Sequence, residues 1–151
     1  MLSVHSESVL DAAPQRVWDF VVTLRWLPLW LGDIRSVQAI SDEQASVGTT
    51  FTALHHRRHY DESWIVADLS PLHRIRLLAY NRRPEYTFLL DPHAAGTHFT
   101  MIYTWPSDRG VLDRLLPPTS QRRMVDDSLA RLRELFTLNR DIKLLHGMGD
   151  E

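Results

Sequence analysis

The chain of 151 residues contains no cysteine. Disulfides, thiolate metal sites and a cysteine nucleophile are therefore excluded. Lysine is almost absent too: Lys143 stands alone among 17 basic residues, the rest being arginine, and this bias carries no mechanistic weight. There is no long apolar run. The longest, WLPLWL at 26–31, falls far short of the roughly 20 residues that span a bilayer, so no integral membrane segment is expected. The opening MLSVHSESVL has neither the basic start nor the apolar stretch of a signal peptide, which makes a cytoplasmic location the expectation. A net charge of -2 gives no reason to expect nucleic acid or an anionic membrane as partner. No glycine-rich phosphate loop, nucleophile elbow, internal repeat or low-complexity segment occurs. The length suits one domain over 1–151 with a substantial core.

What is present is an ordered series of short elements. LSVHSESVL alternates as a strand does. In DAAPQRVWDFVVTL, Asp11 can cap a helix, Pro14 sits early in it, and Val17, Phe20, Val21 and Leu24 follow at helical spacing. RWLPLWLGD reads as a second short helix, interrupted by Pro28 and closed by Gly32. Strand candidates then cover 34–40, 47–55, 60–68, 74–80, 85–90 and 97–105, with short turns between them, as in an antiparallel meander. Residues 106–119 form a connection. An amphipathic helix over about 120–138 carries Val125, Leu129, Leu132, Leu135 and Phe136 on one stripe, and 140–151 reads as a loose tail. A single sheet of that length must cover one face, and the long helix is its natural cover.

SVLDAAPQRVWDFVVTLRWLPLW, VGTTF, SWIVADLSP and YTFLLDPHAAGTHFT, in this order and spacing, resemble the START-like (SRPBCC) superfamily, in particular its polyketide cyclase/dehydratase and lipid-transport branch. The resemblance spans about residues 4–105 and extends through the amphipathic helix to about 138. It implies an α+β helix-grip fold. A curved antiparallel β-sheet of about seven strands would wrap around a long C-terminal α-helix, with two short helices after strand 1. It also implies a cavity that takes a hydrophobic small molecule, in a monomer or homodimer, with no cofactor. The superfamily holds enzymes and carriers alike, so fold does not decide between them.

Strand alternation sorts the candidate lining residues. If Trp64 points inward, so do Tyr60, Glu62 and Val66. Pairing 66 with 76, 64 with 78 and 62 with 80 adds Arg76, Leu78 and Tyr80; pairing 78 with 88 and 80 with 86 adds Tyr86, Phe88 and Leu90. The next strand contributes Phe99, Met101, Tyr103 and Trp105. Trp26, Trp30 and Leu31 would close one side, and Met124, Ser128 and Leu132 recur on the helix.

The stretch HHRRHYDESW, 55–64, concentrates the chemistry. A tip at Arg57–Arg58 pairs 55 with 60, 53 with 62 and 51 with 64, which brings His55, Tyr60, Glu62 and Tyr80 together as a proton-transfer group. A one-residue slip would turn His56 inward instead. A solvated hairpin tip fits the same residues. A metal does not fit well, because His55 and His59 on one strand would stand about 13 Å apart. Two functions stay open. One is a cyclase, aromatase or dehydratase in which Glu62 or His55 moves the proton and Tyr60, Tyr80 or Tyr103 meets an enolate oxygen. The other is a non-catalytic carrier of a lipid, quinone or other apolar metabolite.

Overall fold

The computed structural model describes residues 2–56, 61–80, 84–106, 115 and 117–149, with the side chains of the last helix described as far as 137. Strand β1 (Leu2–Leu10) leads into helix α1 (Pro14–Val21), a single 3-10 turn (Leu24–Trp26) and helix α2 (Leu27–Trp30). Strands β2 (Ile34–Gln38), β3 (Thr50–His55), β4 (Asp61–Ser70), β5 (Arg74–Ala79), β6 (Glu85–His93) and β7 (Gly96–Trp105) follow, and helix α3 (Thr119–Gly149) ends the series. The α3 helix runs on through the stretch read from sequence as a loose tail. Residues 107–114, most of the expected connection, lie outside the described residues.

Proline at the first position of α1 needs no amide partner there and has φ already set for a helix. Asp11 is not the cap expected of it: Ala13 occupies the N-cap position, without a side-chain bond. Val17, Trp18 and Val21 make the buried face of α1.

All seven strands form one antiparallel sheet in the order β1-β7-β6-β5-β4-β3-β2, curled into a half-barrel. The chain thus begins at one edge, crosses the concave face through α1 and α2, and meanders back from the other edge. Helix α3 packs on β1, β7 and α2, with Val125, Leu129, Leu132 and Phe136 turned to the sheet. Between the layers Trp30 meets Phe88 at 4.9 Å and Phe99 at 6.0 Å between ring centres, and Trp64 lies between Phe51 and Tyr86. Each such ring taken from water contributes roughly 1.5–3 kcal/mol.

The β3–β4 register is the one expected, with Phe51 opposite Trp64 and Ala53 opposite Glu62. The β4–β5 register is not. The turn over Pro71–His73 pairs Ser70 with Arg74, and Leu72 takes a left-handed φ of 67° in it. A bulge between Val66 and Asp68 then shifts the ladder, so that Trp64 faces Ala79 and Val66 faces Leu77. The extra residue reverses the side to which β5 sends its side chains. Ile75, Leu77 and Ala79 are buried, Arg76 and Leu78 turn to the outer face, and Tyr80 is 54% exposed. The next ladder is also displaced, pairing Leu77 with Tyr86 and Ile75 with Phe88. Two displacements of odd length cancel in parity, and Tyr86, Phe88 and Leu90 point inward as expected.

At the β6–β7 turn Gly96 has φ 138°, and a Cβ placed there would run into the carbonyl oxygen of Leu10. Beside it the Thr97 hydroxyl donates to the Ala12 carbonyl at 2.7 Å, holding the hairpin to the end of β1. Gly96→Ala should therefore lower the unfolding free energy by about 3 kcal/mol, read as the midpoint of urea denaturation. A midpoint within error of the wild type would contradict this account of the turn.

Candidate functional site

Pairing of β3 with β4 sends His55 and Glu62 to the inner face, where their side chains are 1% and 0% exposed. Nε2 of His55 lies 3.1 Å from Glu62 Oε1. Its other nitrogen, Nδ1, lies 3.0 Å from Asp33 Oδ2. Asp33 follows Gly32 directly after α2, and Ile34 pairs with His55 across the β2–β3 ladder. The backbone amide of His56 donates to the Asp33 carbonyl at 3.1 Å, which fixes the loop against β3. An imidazole with a carboxylate at each nitrogen is fully hydrogen-bonded when it carries both protons.

Burial disfavours that charge. The hydrogen bonds to Asp33 and Glu62, with the attraction of both carboxylates, outweigh it and raise the His55 pKa from 6.5 to about 9. At neutral pH His55 is an imidazolium held between the carboxyl groups of Asp33 and Glu62. Asp33 and Glu62 approach opposite sides of the ring, so the three groups do not converge on one point. No cluster of three potential ligands able to hold an ion is present among the described residues.

Asp33 opens outward. Its carboxylate is 20% exposed and lines a groove of about 310 Å³ between the α2–β2 loop and the first turns of α3. Gly32, Asp33 and His56 form one wall, Met124, Asp127 and Arg131 the other, and Tyr103 reaches in from β7. Ser120, Gln121 and Arg123 complete the mouth. A wider, shallower depression of about 490 Å³ lies between β1 and α3, lined by Ser6, Ser8, Asp126 and Ala130 among others. Its lining includes no buried titratable group, so the groove at Asp33 is the candidate site.

The expected lining residues divide into several sets. Tyr103 and Met124 line the groove. Trp30, Trp64, Tyr86, Phe88, Phe99 and Met101 are at most 1% exposed and fill the interior beside it. Trp26 is half-buried against Phe20, with the Arg25 guanidinium over its ring. Ser128 is buried and bonded to backbone. Leu78 and Tyr80 stand on the outer face because of the β4 bulge, so Tyr80 does not join Glu62. Tyr60 lies outside the described residues. Asp33 was not anticipated. The signal for it is an acidic residue at the start of an edge strand whose neighbour is the strand carrying His55.

Neither family models nor curated proteins match the chain. Solved structures do. Protein BH1534 of Bacillus halodurans superposes with a TM-score of 0.71 at 18% identity, covering 90% of this chain and 97% of that one. TTHA0849 of Thermus thermophilus gives 0.69 at 19% identity over 91% and 99%. DynU16, a protein of the dynemicin biosynthetic locus, gives 0.65 at 16% identity over 87% of this chain and 46% of its own. The chain has a helix-grip fold. Similarity at this level of identity establishes the fold alone. In this helix-grip molecule no helix among the described residues is long and apolar enough to cross a membrane.

The His55 imidazole binds its proton more tightly in the folded chain than in the unfolded one. Its contribution to stability is complete below pH 6.5 and is lost as pH rises through about 9. Unfolding free energy should fall over that window by on the order of 2 kcal/mol. His55→Gln should flatten this decline, as measured by urea denaturation across the range. A wild-type curve as flat as that of the variant would contradict the assignment.

Proposed function

We propose that the groove binds a small organic molecule with an enolisable carbonyl, and that Asp33, backed by His55 and Glu62, removes a proton from it. The observation that carries this reading is a buried imidazole held at both nitrogens by carboxylates, one of which faces open space. Asp33 is the reacting group, because Glu62 lies behind the ring and is fully buried. The proton passes from the carbon next to the carbonyl to a carboxylate oxygen of Asp33. The electron pair of the broken bond moves onto the carbonyl oxygen. His55 keeps both protons throughout, orienting Asp33 on one side while Glu62 fixes the ring on the other. The new negative charge on the ligand lies in a groove whose helix wall carries the guanidinium groups of Arg123 and Arg131.

The groove selects the ligand class. Most of its lining side chains are polar or charged, with Met124 and the ring of Tyr103 as the main apolar surfaces. Its volume suits a compact molecule rather than a long acyl chain. Cyclisation and dehydration, the activities implied by the sequence resemblance, both begin with proton removal next to a carbonyl. A structural neighbour from a biosynthetic locus supports the same direction.

The test uses short β-keto and β-hydroxyacyl thioesters and aryl ketones in deuterated buffer. Binding in the groove should shift the amide signals of Gly32, Met124 and Asp127. Deuterium should enter at the carbon next to the carbonyl, and Asp33→Asn should slow this by roughly 100-fold while leaving the amide shifts in place. Binding without accelerated exchange would overturn the enzymatic reading in favour of a carrier. Absence of shifts at the groove amides with every probe would overturn the groove as the site.

A further inference from the structure

Ser128 on α3 is fully buried, and its hydroxyl, which also lies 3.8 Å from Met124 Sδ, makes two close bonds. It donates to the Met124 carbonyl one turn earlier at 2.7 Å and accepts from the Gly32 amide at 2.9 Å. The second bond ties the last helix to the loop that delivers Asp33. Two backbone bonds thus bracket that residue: Gly32 N–H to Ser128 on one side, and the Asp33 carbonyl to the His56 amide on the other. Gly32 and the helix are in close contact, since a Cβ added at Gly32 would stand 3.3 Å from Ser128 Oγ and 3.8 Å from the Met124 carbonyl. Gly32 and Met124 are also walls of the groove. The tie therefore joins the two walls to each other just where Asp33 turns from groove to imidazole.

We propose that Ser128 is a positioning residue, which sets the Asp33 carboxylate against His55 through the Gly32 amide and so couples the spacing of the groove walls to proton binding in the buried site. A carboxylate on a three-residue stretch between a short helix and an edge strand has several ways to turn. Holding the preceding amide removes them. When the walls move apart, Gly32 moves with α3 or loses its bond, and in either case the Asp33–His55 contact lengthens. When a ligand draws the walls together, the contact is held. Among the described residues, the groups that face His55 are Asp33 from the loop, Glu62 from β4, and the uncharged ring of Trp64 at 6.3 Å between ring centres. Asp127, Arg123 and Arg131 line the groove from α3, and His56 lines it beside Asp33. The functional meaning of this coupling rests on the proton-transfer reading of the site, but the coupling itself is measurable without any ligand.

The experiment is an NMR titration of His55, ring carbon and nitrogens detected, in the full chain and in three variants. Ser128→Ala removes the acceptor for Gly32, and the His55 pKa should drop by about one unit, a tenfold loss in proton affinity. Ser128→Cys, a weaker acceptor of nearly the same size, should fall between the two and so act as partial rescue. Gly32→Ala leaves the hydroxyl in place but forces the walls apart by a few tenths of an ångström, and should lower the pKa in the same sense. Urea midpoints measured alongside separate this from a general loosening: a purely structural role would move the midpoints and leave the His55 titration where it was. A His55 pKa unchanged in folded Ser128→Ala overturns the proposal. Should that variant not fold, an unchanged pKa in Gly32→Ala overturns it equally. Because no ligand is present, these outcomes are independent of the deuterium-exchange test. Intact coupling without exchange would remove the catalytic reading alone, and exchange without coupling would remove only the role of Ser128.

Discussion

Side chains alternate across a β-strand, and this molecule has one continuous sheet with one covered face. Every position in the meander is therefore assigned to the interior or to the outside by parity alone. The pairing of Ala53 with Glu62 decides that His55 and Glu62 both turn inward, where neither can stay charged without a partner. Each supplies the other's need in part, and Asp33 completes it. A register one residue away would have turned one member of the pair to the outer face and left the other buried without it.

The interior is divided along the sheet. Toward β6 and β7 the space under α1, α2 and α3 is filled by Trp30, Phe88 and Phe99 in contact. Toward β2 and β3 the cover is the α2–β2 loop and the first turns of α3, and there a groove is left. The charged triad sits at the boundary between the two, with Trp64 on its inner side and Asp33 toward the opening. This position explains how an imidazolium can be buried at all: the low-dielectric side is closed by aromatic rings and a carboxylate, and the other side keeps a partly hydrated carboxylate. It also leaves Asp33, and not the more deeply buried Glu62, facing the groove. The clamp from Ser128 to Gly32 lies on the same boundary, so the helix that covers the sheet also holds the loop that opens the site.

How much could be read in advance depends on whether a contact is local. The tip at 57–58 implied the β3–β4 register by simple counting, and the structure has that register. Alternation likewise placed Tyr86, Phe88, Phe99 and Met101 on the inner face, where they are buried. The same counting failed for β5. A bulge adds a residue without a mark in the sequence, since Ala67 looks like any strand residue, and it carried Leu78 and Tyr80 to the outer face. Ser128 was legible as a helix position facing inward, but its partner was not: the bond to Gly32 joins residues 96 apart.

Order of elements, the alternating aromatic face and the His–Glu pair were determined by the sequence by itself, because they follow from spacing along the chain and from one hairpin. Asp33 beside His55, the filling of the interior by the very rings that were candidates to line a cavity, and the tie between the last helix and the α2–β2 loop were decided only by tertiary structure. The physical reason is common to all three. They arise where the loop after α2 meets the hairpin and the final helix, and no periodicity within a single segment records how three segments distant in the chain will pack.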